Sequence, residues 1–132
     1  MISQKKRLRG ADHPFETSIA EAATQIAESL RLRTIVTGTV SGNTAKRIAS
    51  FRPRARIAAL TPQEDVARRL SLVWGVDSVV VQRYREFEAL LRLAEQRVVA
   101  EGLAASGDTV ALTSGMPVGE GGTNVLKLHV LP

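Results

Sequence analysis

The segment Thr37-Gly38-Thr39-Val40-Ser41-Gly42-Asn43-Thr44 follows a β-branched run and opens a helix-like run. Hydroxyls at Thr39, Ser41 and Thr44 are potential donors, and Gly42 allows close approach and a positive φ. Amides at Asn43 and Thr44 fall in the first turn of the following helix, where the dipole favours an anion. This chemistry suits a phosphate or sulfate. It is binding chemistry, because no general base or activated nucleophile stands in the segment.

The rest of the chain offers little for catalysis. There are 0 cysteines, which removes thiol chemistry and disulfides and fits a reducing compartment. The 2 histidines, His13 and His129, are far apart, and no carboxylate cluster has metal-ligand spacing. Neither a metal site nor a cofactor is expected. The net charge is +5, and Lys5, Lys6, Arg7 and Arg9 lie together near the start. Residues 1–16, with Gly10 and Pro14 and no periodicity, read as a flexible basic leader. A leader of this kind is a conceivable arm for nucleic acid, but a solvated tail is the expectation. No run of about 18 apolar residues is present, and no apolar segment follows the basic stretch, so neither a membrane partner nor a secretory signal is expected. The expected location is the cytoplasm.

The elements that must position the segment follow from periodicity. Ser18-Ile19-Ala20-Glu21 reads as a capping box for a first helix ending near Leu32, with Ile19, Ala22, Ala23, Ile26, Ala27 and Leu30 as its stripe. Residues 34–37 form a buried strand bounded by Gly38. Ala45, Ile48 and Ala49 mark a second helix that Pro53 stops. A second strand at 57–60 precedes Thr61-Pro62-Gln63-Glu64, read as another helix start, with Val66, Ala67, Leu70, Val73 and Trp74 facing one way. Trp74 is expected as a core or interface anchor. A third strand lies within 76–82. A fourth helix carries Phe87, Leu90, Leu91, Ala94 and Val98, with Glu88 and Arg92 paired on its wet side. A fourth strand occupies 109–113, and a glycine-rich loop over 114–123 leads to an alternating edge strand at 125–130. The alternation predicts one α/β domain at 17–132, a three-layer α/β/α sandwich on a largely parallel sheet, with the last strand antiparallel.

Several stretches carry a family resemblance. They include Ile19-Ala20-Glu21-Ala22-Ala23, Ser41-Gly42-Asn43-Thr44-Ala45, Phe51-Arg52-Pro53, Ala59-Leu60-Thr61-Pro62 and Trp74-Gly75-Val76. Gly107-Asp108-Thr109-Val110, Gly115-Met116-Pro117-Val118-Gly119 and Gly122-Thr123-Asn124 continue the series. In this order and spacing, the chain from about Ser18 to Val130 resembles the C-terminal alpha/beta domain of pyruvate kinase, without the catalytic barrel. The resemblance implies a five-stranded mixed sheet of order 3-2-1-4-5. It implies a non-catalytic regulatory module of a glycolytic enzyme that binds an allosteric sugar phosphate. Pyruvate kinase activity would need the barrel, which carries the family's metal-binding carboxylates and lysine.

The implied sheet order places the loops after strands 1 and 4 beside one crevice. By position, Thr39, Ser41, Gly42, Asn43 and Thr44 match the family's phosphate-holding residues. Gly119, Glu120, Gly121 and Gly122 match a loop that in fructose 1,6-bisphosphate-responsive relatives folds over the sugar; a lid and a plain connector into the edge strand both stay open here. The 82–86 connection is short and lacks the tryptophan and arginine that some fructose 1,6-bisphosphate-responsive relatives carry there. A monophosphorylated sugar, a nucleotide or inorganic phosphate stays open as the partner. The resemblance also implies a homo-oligomer, a dimer or more, and a pyruvate kinase barrel as partner if the chain is a fragment. The leader does not resemble the end of a barrel, which favours a stand-alone protein. The competing expectation is a structural or oligomerisation module with a vestigial pocket.

Overall fold

The computed structural model describes residues 14–116, 118 and 122–132. The basic stretch, His13 and the expected lid residues Gly119, Glu120 and Gly121 lie outside the described residues. The chain order is α1 (Pro14–Leu30), β1 (Thr34–Gly38), α2 (Asn43–Ser50), β2 (Arg56–Thr61) and α3 (Glu64–Leu70). Then come β3 (Val76–Val80), α4 (Phe87–Leu93) with a π-helical continuation over Ala94–Val98, β4 (Thr109–Ser114) and β5 (Val125–Val130). The sheet runs β3-β2-β1-β4-β5, parallel except for the antiparallel β4–β5 pair. This is the expected order. β1 lies at its centre, and all 5 of its residues are buried.

Two apolar layers cover the sheet. Ile35, Ile57 and Ala111 face α1, α2 and α3 with Ala20, Ala23, Ile48 and Leu70. Val36, Leu60 and Leu112 face α4 with Leu90, Leu91 and Val98. Neighbouring residues of each strand alternate between layers, as the period of 2 requires.

The helix ends differ from their expected positions for local reasons. α1 begins at Pro14, not at Ser18. Proline has no N–H to lose in a first turn, and its fixed φ suits that position. Glu16 then sits in the positively polarised first turn, while Ser18 is exposed inside the helix and caps nothing. The buried face of α1 is Ala20, Ala23, Thr24 and Ala27, rotated from the expected stripe, and Leu30 is exposed. Small side chains let the helix lie close to the sheet. Thr61 belongs to β2, where its hydroxyl accepts the Gln63 amide at 3.2 Å, so α3 starts at Glu64.

Three further expectations are corrected. α3 ends at Leu70, which leaves Trp74 outside the core and exposed. Glu88 and Arg92 make no ion pair; Arg97 and Glu101, nine residues further on, do so at 3.6 Å. In β5, Leu126 packs against the core, whereas Leu128 and Val130 are exposed. His129 is half-buried instead, its Nε2 at 2.8 Å from Glu95 in the π segment.

Candidate functional site

β1 and β4 are adjacent and parallel, pairing Thr37 with Thr113. From β1 the chain crosses to α2 and β2 on one side, while β4 continues into β5 on the other. Their carboxyl ends therefore part, the arrangement that in open α/β sheets leaves a ligand crevice between the loops that follow. The Thr44 and Thr123 hydroxyls hydrogen-bond to each other, which ties the first turn of α2 to the second loop. Both threonines are buried. Composition and topology thus lead to the same place.

The first loop is shaped by its own hydroxyls. Thr39 is buried, and its Oγ1 accepts the Gly42 amide at 2.8 Å. Ser41 Oγ accepts the Asn43 amide at 3.2 Å. Gly42 is the N-cap residue at φ 90, a left-handed conformation, and supplies no side-chain cap. A Cβ there would lie 3.2 Å from Val66 Cγ1, a tight contact that Val66 could accept only by shifting slightly. The Thr44 amide, in the first turn, has no intrahelical acceptor. An anion above this turn would meet that amide, the Ser41 and Thr39 hydroxyls and the positive end of α2. All five expected residues, Thr39, Ser41, Gly42, Asn43 and Thr44, lie on this one turn.

The second loop folds back on itself. Asn124 brackets Met116, its Oδ1 accepting the Met116 amide at 2.9 Å and its Nδ2 donating to the Met116 carbonyl at 2.8 Å. Gly115 packs so closely on the Gly122 carbonyl that a Cβ would overlap it. Gly122, the one expected lid residue among those described, has φ 74.

Tyr84 is the residue that periodicity misses. It lies in the 81–86 connector, flanked by Arg83 and Arg85, with no helical or strand pattern to mark it. It is buried, and its hydroxyl reaches so near Gly38 that a Cβ there would meet it at 2.5 Å. Burial pushes the phenol up from its ordinary value, and a hydrogen bond with Ser114 partly opposes this. Tyr84 therefore plugs the sheet under the crevice on the α4 side. On the opposite face, the buried Thr37 and Thr113 hydroxyls have no partner among the described residues. A lone tyrosine in a short basic connector was the only signal available for this floor.

Among the described residues, no group of His, Cys, Asp or Glu could hold a metal ion. No helix among them is long and apolar enough to cross a membrane.

The sequence matches the family "Pyruvate kinase, alpha/beta domain" over residues 17–129. It is 39% identical to pyruvate kinase of Staphylococcus aureus strain USA300, across 96% of this chain and 23% of that protein. The fold is similar to a crystal structure of a pyruvate kinase from Cryptosporidium parvum, with TM-score 0.81 and 28% identity over 93% of this chain and 24% of the other. The Cryptosporidium parvum enzyme in complex with ADP gives TM-score 0.81 and 29% identity. The chain spans about a quarter of the length of these relatives. By sequence match and by strand order alike, the chain belongs to the pyruvate kinase alpha/beta domain family.

Proposed function

We propose that this domain is a regulatory ligand-binding module that takes a phosphate group at residues 38–44, as inorganic phosphate or as the phosphate of a sugar. One observation carries the reading: α2 opens on a left-handed glycine that provides no side-chain cap, directly beside the second glycine-rich loop. Thr39 and Ser41 shape the turn, the Thr44 amide faces the anion, and the Thr44–Thr123 contact links occupancy to the second loop. The module works in the cytoplasm, as part of a homo-oligomer or beside a catalytic barrel.

Thermal unfolding with phosphate, sulfate and sugar monophosphates tests this. Ligand at a hundredfold excess over its Kd adds about 2.7 kcal/mol, a rise of several degrees in Tm. Ser41→Ala should reduce the rise. No rise with any of these anions would refute the reading.

A second reading, a structural or assembly module with a vestigial pocket, is favoured by the self-satisfied loop. The Thr39, Ser41 and Thr44 hydroxyls all have protein partners already. It predicts anion-independent Tm and a concentration-dependent oligomer.

A further inference from the structure

The amino ends of β2 and β3, at the opposite end of the sheet from the crevice, carry a second concave surface. A hollow of about 580 Å³ is lined by Arg52, Pro53, Arg54 and Trp74. A second hollow of about 370 Å³ shares Pro53, Arg54 and Trp74 and adds Arg33, Arg56 and Asp77. Both volumes fit the range of small-molecule sites, about 300–1,000 Å³.

The two lobes differ in chemistry. In the first, the Arg52 guanidinium lies 5.5 Å from the centre of the Trp74 ring. Even with Arg52 stacked on its ring, Trp74 remains 73% exposed. Exposing the chain's sole tryptophan beside a buried proline leaves a flat apolar surface facing water. Arg52 holds its place with φ 53, a left-handed conformation that L side chains rarely adopt. Glycine would fit that backbone with less strain, and would lose the stack.

In the second lobe, Asp77 is the one lining carboxylate against four guanidinium groups across the two hollows. Arg56 is already committed, 3.7 Å from Asp77 and donating to the Gly102 carbonyl at 3.4 Å. Glu28 accepts the Arg54 backbone amide and leaves that guanidinium unpaired among the described residues. The Arg33 guanidinium is likewise unpaired among them. Two unspent forks beside an aromatic surface match a phosphate joined to a flat ring.

We propose that this surface is a second ligand site, distinct from residues 38–44, that takes a nucleotide. The base lies against Trp74 and Pro53, and the phosphate is held by Arg33 and Arg54. The ring distinguishes this ligand from the sugar phosphates assigned to the crevice, so either site can fail without the other.

Fluorescence titration with adenosine monophosphate tests it, because Trp74 is the only tryptophan. The expected result is saturable quenching at micromolar to millimolar ligand. Arg54→Ala, at an exposed position, weakens it by about tenfold or more. Arg85→Ala, at the other end of the sheet, leaves it unchanged. Calorimetry of Trp74→Phe, which keeps a ring but not the indole, shows weaker binding in the same direction. Absence of quenching would overturn the proposal. So would quenching of equal strength by ribose 5-phosphate, or quenching that survives Arg33→Ala/Arg54→Ala.

Discussion

Replacing Thr44 by valine keeps the shape of the side chain and removes one hydroxyl from the contact that closes the crevice. Thr44 is 5% exposed and Thr123 2% exposed, so water does not easily replace the lost partner. A buried hydroxyl left alone costs about 1–3 kcal/mol. Thr44→Val and Thr123→Val should each destabilise by that amount. When both are valine, neither orphan remains and two apolar groups meet. The double variant should then lie well above the sum of the singles, with a coupling of about 1–2 kcal/mol, since removing both partners is nearly neutral. Urea unfolding of the four proteins gives the cycle directly, with equal m-values as the check on two-state behaviour. Additivity within about 0.5 kcal/mol would show that the two loops are not joined here, and the single-crevice geometry would fall with it.

Two other outcomes follow from the same geometry. Gly42→Ala and Gly75→Ala both force alanine into a left-handed turn, at φ 90 and φ 85. Each pays about 1–2 kcal/mol of backbone strain, but only Gly42 also meets Val66 Cγ1 at 3.2 Å, while Gly75 has nothing within 4 Å. Gly42→Ala should therefore lower Tm further than Gly75→Ala in parallel melts, and the reverse order would refute the close packing of the turn. Tyr84 is the sole tyrosine, so ultraviolet titration should place its ionisation above the ordinary value of 10.0. Because the folded state holds this proton more tightly, its contribution to stability is full below pH 10 and is lost as pH rises through the folded-state value. Tyr84→Phe should flatten that alkaline loss.

The strands were legible because each signal was local and redundant, whereas their order was legible only through the resemblance to the pyruvate kinase domain. Residues 34–37 are short, β-branched and bounded by Gly38, and they form the fully buried central strand of the sheet. The turn at 39–43, the candidate site, was legible too, since Gly42 and its hydroxyl neighbours act within four residues of one another. What periodicity missed depends on contacts distant in sequence. The Ile19–Leu30 stripe was assigned by helical spacing; its Ala23 and Ala27 are buried, but the buried face turns toward Ala20 and Thr24 and leaves Leu30 exposed, because close approach to the sheet favours small side chains. Tyr84 finds its place only against Gly38 and Ser114, 46 and 30 positions away. Trp74 was assigned inward by helical phase, but the helix stops four residues earlier, at Leu70. Leu128 and Val130 alternate correctly, yet nothing among the described residues covers them.

β1 has one neighbour close behind it in the chain and another that arrives only at Thr109. During synthesis, the stretch from Thr34 to Val80 can assemble its three strands and two helices while one flank of β1 waits open. An unpaired central strand is a hazard for misassociation, so this flank needs the segment from Thr109 onward quickly. The same docking event that seals it delivers Thr123 to Thr44. On the function proposed above, a product truncated before Thr123 would lack the Thr44 contact and should bind anion more weakly than the whole domain.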